Sequence, residues 1–231
     1  MQSSLFSERN KKEKYIVKNI CYIIGASVTD GMYIDRWPGD FVIAADGGLS
    51  ALDRMKVHAD LVVGDFDSLG HLPVNENTIR HPREKDDTDT ALCLAEGMKL
   101  GYRTFVIYGG LGGRLDHTMA NIQNCAGAAE HGAVCWIWGE ENAVCTFGDG
   151  ESLHFEKEKT GIVSVFAIDR ATGVTLKGLK YPIENACLTS CVPLGVSNEF
   201  TGVESSITVD EGTLIVMWNE DAKAFVKRIR E

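Results

Sequence analysis

The sequence predicts an α/β fold: an N-terminal open, mostly parallel sheet with helices on both faces, joined to a C-terminal all-β sandwich. Three observations carry this. Between residues 20 and 138, continuous apolar runs of strand length alternate with helical patterns. Runs that are apolar throughout, rather than at alternate positions, belong to strands buried on both faces, the condition of a parallel sheet. From residue 142 the pattern changes to short β-branched or period-2 runs separated by turn residues, as in a sandwich. The chain has 231 residues, 44% of them hydrophobic, enough for a sizeable core in one large domain or two smaller ones.

The first expected strand is 20–25, Ile-Cys-Tyr-Ile-Ile-Gly, and the Gly25-Ala-Ser stretch after it reads as a strand-to-loop turn. The second is 41–45, ending in Asp46-Gly47-Gly48, and residues 49–56 place Leu49, Leu52 and Met55 on one helical face. The third, 61–64, runs into Asp65-Phe66-Asp67-Ser68. A short strand over 78–81 precedes Lys85-Asp-Asp-Thr-Asp, where Asp87 or Thr88 can cap a helix that carries Leu92, Ala95 and Met98 and stops at Gly101. Residues 105–108 form the next strand. A glycine-rich loop, a helix over 115–131 and a strand over 134–138 follow.

Beyond the boundary expected at 139–142, strands are expected over 143–147, 152–155, 162–167, 173–176, 199–203, 206–209 and 213–218. The organisation is therefore a tail over 1–14, an α/β domain over 15–140 and a β-domain over 141–231.

Composition excludes several classes. Lys plus Arg number 23 against 33 Asp plus Glu, a net charge of −10, so no basic footprint for nucleic acid exists. No apolar run reaches ~18 residues, so no transmembrane helix and no membrane partner is expected. The first 18 residues are polar and charged, unlike a secretory signal. The seven cysteines are odd in number and form no CxxC pair. They read as buried free thiols in a cytoplasmic protein.

The chemistry concentrates in four clusters: Asp46-Gly-Gly, Gly64-Asp-Phe-Asp-Ser, Lys85-Asp-Asp-Thr-Asp, and the run from Gly109 to His117. Taken singly, a double glycine is a tight turn and an acidic cluster before a helix is a cap. Four at successive strand ends converge on one edge of a doubly wound sheet, where ligands bind. Asp65 and Asp67, at i and i+2, put two carboxylates on one side of an extended chain, roughly 6.6 Å apart. They would repel by about 2.5 kcal/mol at an effective dielectric of ~20, so the pair calls for a cation. Asp86 and Asp89, at i and i+3, add two more hard oxygen donors of the kind Mg²⁺ takes. The glycine loop beside Arg114 at a helix N-terminus makes an anion cradle. Neither standard nucleotide fingerprint is present.

In order and approximate spacing, Ala45-Asp-Gly-Gly, Gly64-Asp-Phe-Asp-Ser, Asp86-Asp-Thr-Asp, Gly112-Gly-Arg-Leu-Asp-His and Leu194-Gly-Val-Ser-Asn-Glu resemble the thiamine pyrophosphokinases. The resemblance spans about residues 20–218. It implies transfer of a pyrophosphoryl group from ATP to the hydroxyl of thiamine, giving thiamine diphosphate and AMP, with Mg²⁺. It also implies a homodimer with the site shared between chains, the α/β domain binding nucleotide and metal and the β-domain binding thiamine.

On that reading Asp65, Asp67, Asp86 and Asp89 hold the metal. Asp46, Gly47, Gly48, Lys85, Gly110, Gly113 and Arg114 hold ATP. Asp89, Asp116, Ser197 and Asn198 hold thiamine, and Asp67, Asp89, Arg114 and Asp116 form the catalytic set. Asp116 accepts or orients the alcohol proton; the sequence leaves both roles open. Tyr181, Phe200 and Trp218 are the candidates for stacking on the thiazolium. Two competing readings are a non-catalytic nucleotide or metal sensor on the same sheet, and another pyrophosphokinase, for instance one acting on a hydroxymethyl heterocycle.

Overall fold

The computed structural model describes residues 19–26, 32–64, 77–80, 88–139 and 141–220. Of the expected site residues, Asp65, Asp67, Lys85 and Asp86 lie outside these, as does the expected tail over 1–14. In the first half the strands are β1 (Ile20–Ile24), β2 (Phe41–Ala45), β3 (Leu61–Gly64), β4 (Thr78–Arg80), β5 (Thr104–Tyr108) and β6 (Val134–Trp138). The helices are α1 (Gly48–Met55), α2 (Asp89–Lys99) and α3 (Leu115–Ala129). The second half holds β7 (Ala143–Phe147), β8 (Ser152–Phe155), β9 (Ile162–Lys177), β10 (Ile183–Thr189), β11 (Gly195–Glu199), β12 (Ser205–Thr208) and β13 (Glu211–Trp218).

The first six strands pair in parallel in the order β4-β3-β2-β1-β5-β6. Their continuous apolar runs are explained by burial on both faces. In β1, Ile20, Tyr22 and Ile24 enter one core while Cys21 and Ile23 enter the other. Successive side chains of a strand point to opposite faces, so one run feeds two cores. Helix α1 adds Ala51 and Leu52 to the first core, and α2 and α3 add Cys93, Leu94, Ile122, Cys125 and Ala128 to the second. Thr88 is the N-cap of α2, its Oγ1 accepting the N–H of Ala91 at 3.2 Å.

The hydrogen-bonded sheet continues past the parallel part. β6 and β7 form an antiparallel hairpin, with Ile137 opposite Val144 and Trp138 opposite Ala143. The expected boundary at 139–142 falls in this hairpin loop, which the Gly139 N–H to Asn142 O bond closes at 2.9 Å. β13 pairs with β7 and β9 with β13, both antiparallel.

β9 corrects the expectation of two strands over 162–167 and 173–176. It is one strand of 16 residues. Its first half pairs with β13 and β11, and its second half with β10 and β12. The polar residues between the expected strands form the corner where the strand passes from one sheet to the other. Asp169 there has φ +54°. The partner strand carries a bulge between Glu211 and Thr213, and a Cβ on Gly212 would lie 2.3 Å from the Arg170 carbonyl oxygen.

Two further strands, β10 and β11, were not expected. Most residues of both are exposed or half-buried, so no apolar alternation marks them. The strand expected over 199–203 ends instead at Glu199, and Phe200 makes an isolated bridge to Leu179. Five cysteines are buried as expected, and burial pushes the thiols of Cys21, Cys125 and Cys145 up. Cys187 and Cys191 depart from the expectation and are exposed.

An aromatic seam joins the two parts. Trp218 on β13 stacks edge-on against Trp136 and Trp138 of β6, with centroids 6.0 and 6.2 Å apart, and against Phe155 of β8 at 5.3 Å. Edge-to-face pairs contribute beyond their buried area. Trp218→Ala should therefore destabilise the fold by about 3–5 kcal/mol. Urea unfolding followed by circular dichroism should show helical and β signals lost in one transition at a lower midpoint. A loss below about 1 kcal/mol would mean that other contacts hold the halves together.

Candidate active site

The strand order reverses between β1 and β5, and the crevice beyond the carboxyl ends of such strands is the usual ligand site of an open α/β sheet. Glycines draw three loops into that place. The N–H of Gly25, just after β1, donates to the carbonyl of Tyr108 at 2.8 Å, and a Cβ on Gly25 would sit 3.2 Å from Gly109 O. On the other flank, a Cβ on Gly48 would lie 1.9 Å from Ile24 O, so the first turn of α1 can rest on β1 only through glycine. Asp46, at the end of β2, adopts φ +44° and donates its N–H to Val63 O at 2.8 Å. Its Cα would be 3.0 Å from a Cβ on Gly64. The Asp46-Gly47-Gly48 loop therefore abuts both the end of β1 and the last residue of β3.

The loop after β5 is built from Gly109, Gly110, Gly112 and Gly113 and leads to Arg114, the N-cap of α3. Gly112 and Gly113 have φ +84° and +65°, with open space where a side chain would stand. Arg114 Nε and Nη2 donate to the two carboxylate oxygens of Asp116 at 3.1 and 2.6 Å. Both side chains are exposed. The hydrogen bonds from the Arg114 guanidinium hold the Asp116 carboxyl down at about 2. A carboxylate so acidic is a weak proton acceptor and a steady partner for a cation. Asp89 is the first residue of α2, next to the Thr88 cap.

Asp46, Gly47, Gly48, Gly110, Gly113, Arg114 and Asp116 thus belong to loops and helix starts at one end of the parallel sheet. Ser197 and Asn198 do not join them. They sit on β11, separated from β5 by β6, β7, β13 and β9, a distance of about 24 Å at ~4.8 Å per strand step. Among the described residues no group of three side chains forms a metal cluster. Three of the four expected carboxylate donors lie outside them.

Around β11 the side chains have defined tasks. Asn198 is 2% exposed. Its Oδ1 accepts the N–H groups of Tyr181 and Glu199, both at 2.9 Å, and its Nδ2 donates to Tyr181 O at 2.7 Å. The amide is therefore committed to fixing Tyr181. Ser197, at φ +54°, is exposed, and its N–H donates to Ser164 Oγ at 3.1 Å. Of the three aromatic candidates, Phe200 and Trp218 are buried, whereas Tyr181 is 55% exposed. Lys180 Nζ lies 5.4 Å from the Tyr181 ring centroid and pairs with Glu199 at 2.7 Å.

Sequence reasoning missed Thr118, Asn121 and Asn124 on α3. Thr118 Oγ1 donates to Gly112 O at 3.3 Å, Asn121 Nδ2 to Gly110 O at 2.9 Å, and Asn124 Nδ2 to Thr88 Oγ1 at 2.9 Å. The available signal was three short polar residues, three apart, in the helix directly after the glycine loop.

Two family profiles match the chain: "Thiamin pyrophosphokinase, catalytic domain" over residues 37–137, and "Thiamin pyrophosphokinase, vitamin B1 binding domain" over 151–214. A curated relative named Thiamin pyrophosphokinase 1, from Caenorhabditis elegans, is 26% identical over 174 residues, covering 69% of this chain and 71% of its own length. Thiamine pyrophosphokinase of Bacillus subtilis is 27% identical over 165 residues, covering 68% of this chain and 77% of its own length. The crystal structure of the Bacillus subtilis thiamine pyrophosphokinase superposes with a TM-score of 0.73 at 22% identity, covering 88% of this chain and 100% of that one. That of the Candida albicans thiamin pyrophosphokinase gives 0.67 at 15% identity, covering 89% and 90%. At these identities the two structures share the fold.

The Arg114–Asp116 pair generates a prediction with a defined sign. Because the folded carboxyl titrates below its ordinary value of 3.8, the pair's contribution is full above that value and is lost as pH falls towards 2. The Asp116 carboxyl carbon, followed by NMR, should titrate near pH 2. In Arg114→Ala its midpoint should rise towards 3.8. An unchanged midpoint in the variant would show that another group sets it.

Proposed function

Because the chain belongs to the thiamin pyrophosphokinase family, we propose that it makes thiamine diphosphate from thiamine with ATP as donor, AMP as the other product and Mg²⁺ as cofactor. The enzyme class and the pyrophosphorylation of thiamine follow from the family itself. The observation that supports the nucleotide reading is the meeting of three glycine-bearing loops at the switch point, beside a helix N-terminus that carries Arg114. Backbone N–H groups and a guanidinium there suit phosphate.

In the proposed reaction the thiamine hydroxyl oxygen bonds to the β-phosphorus of ATP, and the bond from that phosphorus to the bridging oxygen of AMP breaks. The protein's part is positioning and charge stabilisation. Arg114 and Lys85 hold phosphate oxygens, while Asp46, Gly47, Gly48, Gly110 and Gly113 line the nucleotide loops. Asp65, Asp67, Asp86 and Asp89 would hold Mg²⁺; an all-carboxylate donor set fits this hard ion, which neutralises phosphate charge when bound. Asp116 orients the alcohol or accepts its proton, with Arg114 as its partner until phosphate binds. Asn198 serves thiamine by fixing Tyr181, whose exposed ring already carries the Lys180 ammonium 5.4 Å from its centroid, and Ser197 is the other β11 residue proposed for thiamine. A cytoplasmic setting agrees with seven free thiols.

Incubation with Mg²⁺, ATP and thiamine should yield thiamine diphosphate and AMP in equal amounts. ADP in place of AMP, or no product from folded protein, overturns the reading.

The separation of β5 from β11 along the sheet favours a homodimer in which the β11 region of one protomer completes the site on its partner. A two-fold assembly then holds two such sites. An Arg114→Ala variant mixed and reassembled with a Tyr181→Ala variant should recover about a quarter of wild-type activity, since half the dimers are mixed and each carries one intact site. A mixture as inactive as its parents would put each site within one chain.

A further inference from the structure

The side chains of α3 reach two parts of the site at once. Asn121, which is 8% exposed, holds the carbonyl of Gly110, and Thr118 holds that of Gly112. One turn beyond Asn121, Asn124 donates to Thr88 Oγ1 across 36 residues of sequence. That same oxygen accepts the Ala91 N–H and caps α2. A capping hydroxyl ordinarily turns freely to suit its helix. Here an amide N–H from a second helix fixes it, so α2 begins at a point set by α3.

We propose that Asn124 and Asn121 are positioning residues that set the start of α2, and with it Asp89, against the glycine loop and Arg114. This rests on the functional reading above, in which Asp89 and the glycine loop serve the same reaction. Neither asparagine touches substrate; each acts through a group that does. The geometry leaves little else to do the work. A Cβ at Gly110 would lie 2.6 Å from Ile137 Cγ2, so residue 110 has no side chain to anchor it, and the neighbouring Leu111 holds the loop only by apolar packing against the second core. The polar contact from Asn124 to Thr88 joins the N-cap of α2 to the middle of α3, and a small shift of the α2 start moves Asp89. Misplacement by about 1 Å can cost on the order of a hundredfold in rate.

A bond that merely stabilised α2 would behave differently from one that positions Asp89. Asn124→Leu removes the bond while keeping the volume. Its kcat for thiamine diphosphate formation should fall about tenfold to a hundredfold, with the KM for thiamine within about twofold of wild type. By hydrogen exchange, the amides of residues 89–92 should open about tenfold faster or more, with the rest of the fold protected as before. Asn124→Asp should recover most of both properties, because the Thr88 hydroxyl can donate to the new carboxylate while still accepting from Ala91. Thr88→Val combined with Asn124→Leu should be no worse than Thr88→Val alone, since Thr88→Val already removes the Asn124 bond together with the Ala91 cap.

Unchanged exchange at 89–92 in Asn124→Leu overturns the proposal. So does a loss of activity that tracks a loss of folded protein and is not rescued by aspartate. If the wild-type protein makes no thiamine diphosphate, it is the functional reading that fails, and the exchange pattern alone then decides whether α3 sets the start of α2.

Discussion

The carbonyl oxygen of Ile24, at the end of β1, occupies the space that a side chain at position 48 would need. Helix α1 can rest on the carboxyl end of the sheet only because residue 48 is glycine. On the other side of β1, Gly25 is bonded to the end of β5 and lies almost against Gly109. These two close approaches flank one strand and pull the loops of β2 and β5 together at the point where the strand order reverses. Each glycine carries an entropic cost of roughly 0.5–1 kcal/mol relative to alanine. The parallel strands, buried on both faces by long apolar runs, offset it. Packing and function thus draw on the same residues.

The same sheet that gathers one set of residues keeps another away. Its hydrogen bonding runs from β4 through the β6–β7 hairpin to β9, and Trp218 locks the turn-over from parallel to antiparallel strands by stacking on Trp136 and Trp138. A rigid sheet cannot fold β11 back onto β5. Ser197 on β11 therefore lies five strand steps along the sheet from β5 and its glycine loop. The long strand β9, bent at Asp169, gives that region its shape, because its two halves hold β11 and β10 in different sheets.

Much of this was legible in the sequence, for physical reasons that differ by region. The parallel strands could be placed because burial on both faces leaves unbroken apolar runs, as at residues 20–24 and 104–108. Thr88 could be named as a cap candidate from its place before a helical pattern. The strand β9 was split in two because a corner between sheets uses the same polar and glycine residues as a turn. β10 and β11 went unread because most of their residues are exposed or half-buried, and without a continuous buried face there is no period to read. In the site, the glycine loops and Arg114 were legible from composition at strand ends. Asn121 and Asn124 were not, because a side chain that serves another element shows its purpose only when the two elements are brought together. Asn198 was picked out by resemblance, yet its hydrogen bonds to Tyr181 and Glu199 could be seen only in space.

The charge balance sets the last constraint. On the proposed reading, a chain with a net charge of −10 gathers its anionic substrate with local features rather than a global field. Backbone amides of the glycine loops supply part of this without adding net charge. Arg114 supplies another part, and Asp116 keeps it in register. Because both side chains are exposed, the pair is weakly held, as surface ion pairs are. A phosphate oxygen can therefore replace the carboxylate at small cost. Once displaced, the carboxylate returns towards its ordinary value of 3.8, still stays charged near neutrality, and remains an acceptor for a hydroxyl. The arginine is thus oriented before the substrate arrives yet free to change partners.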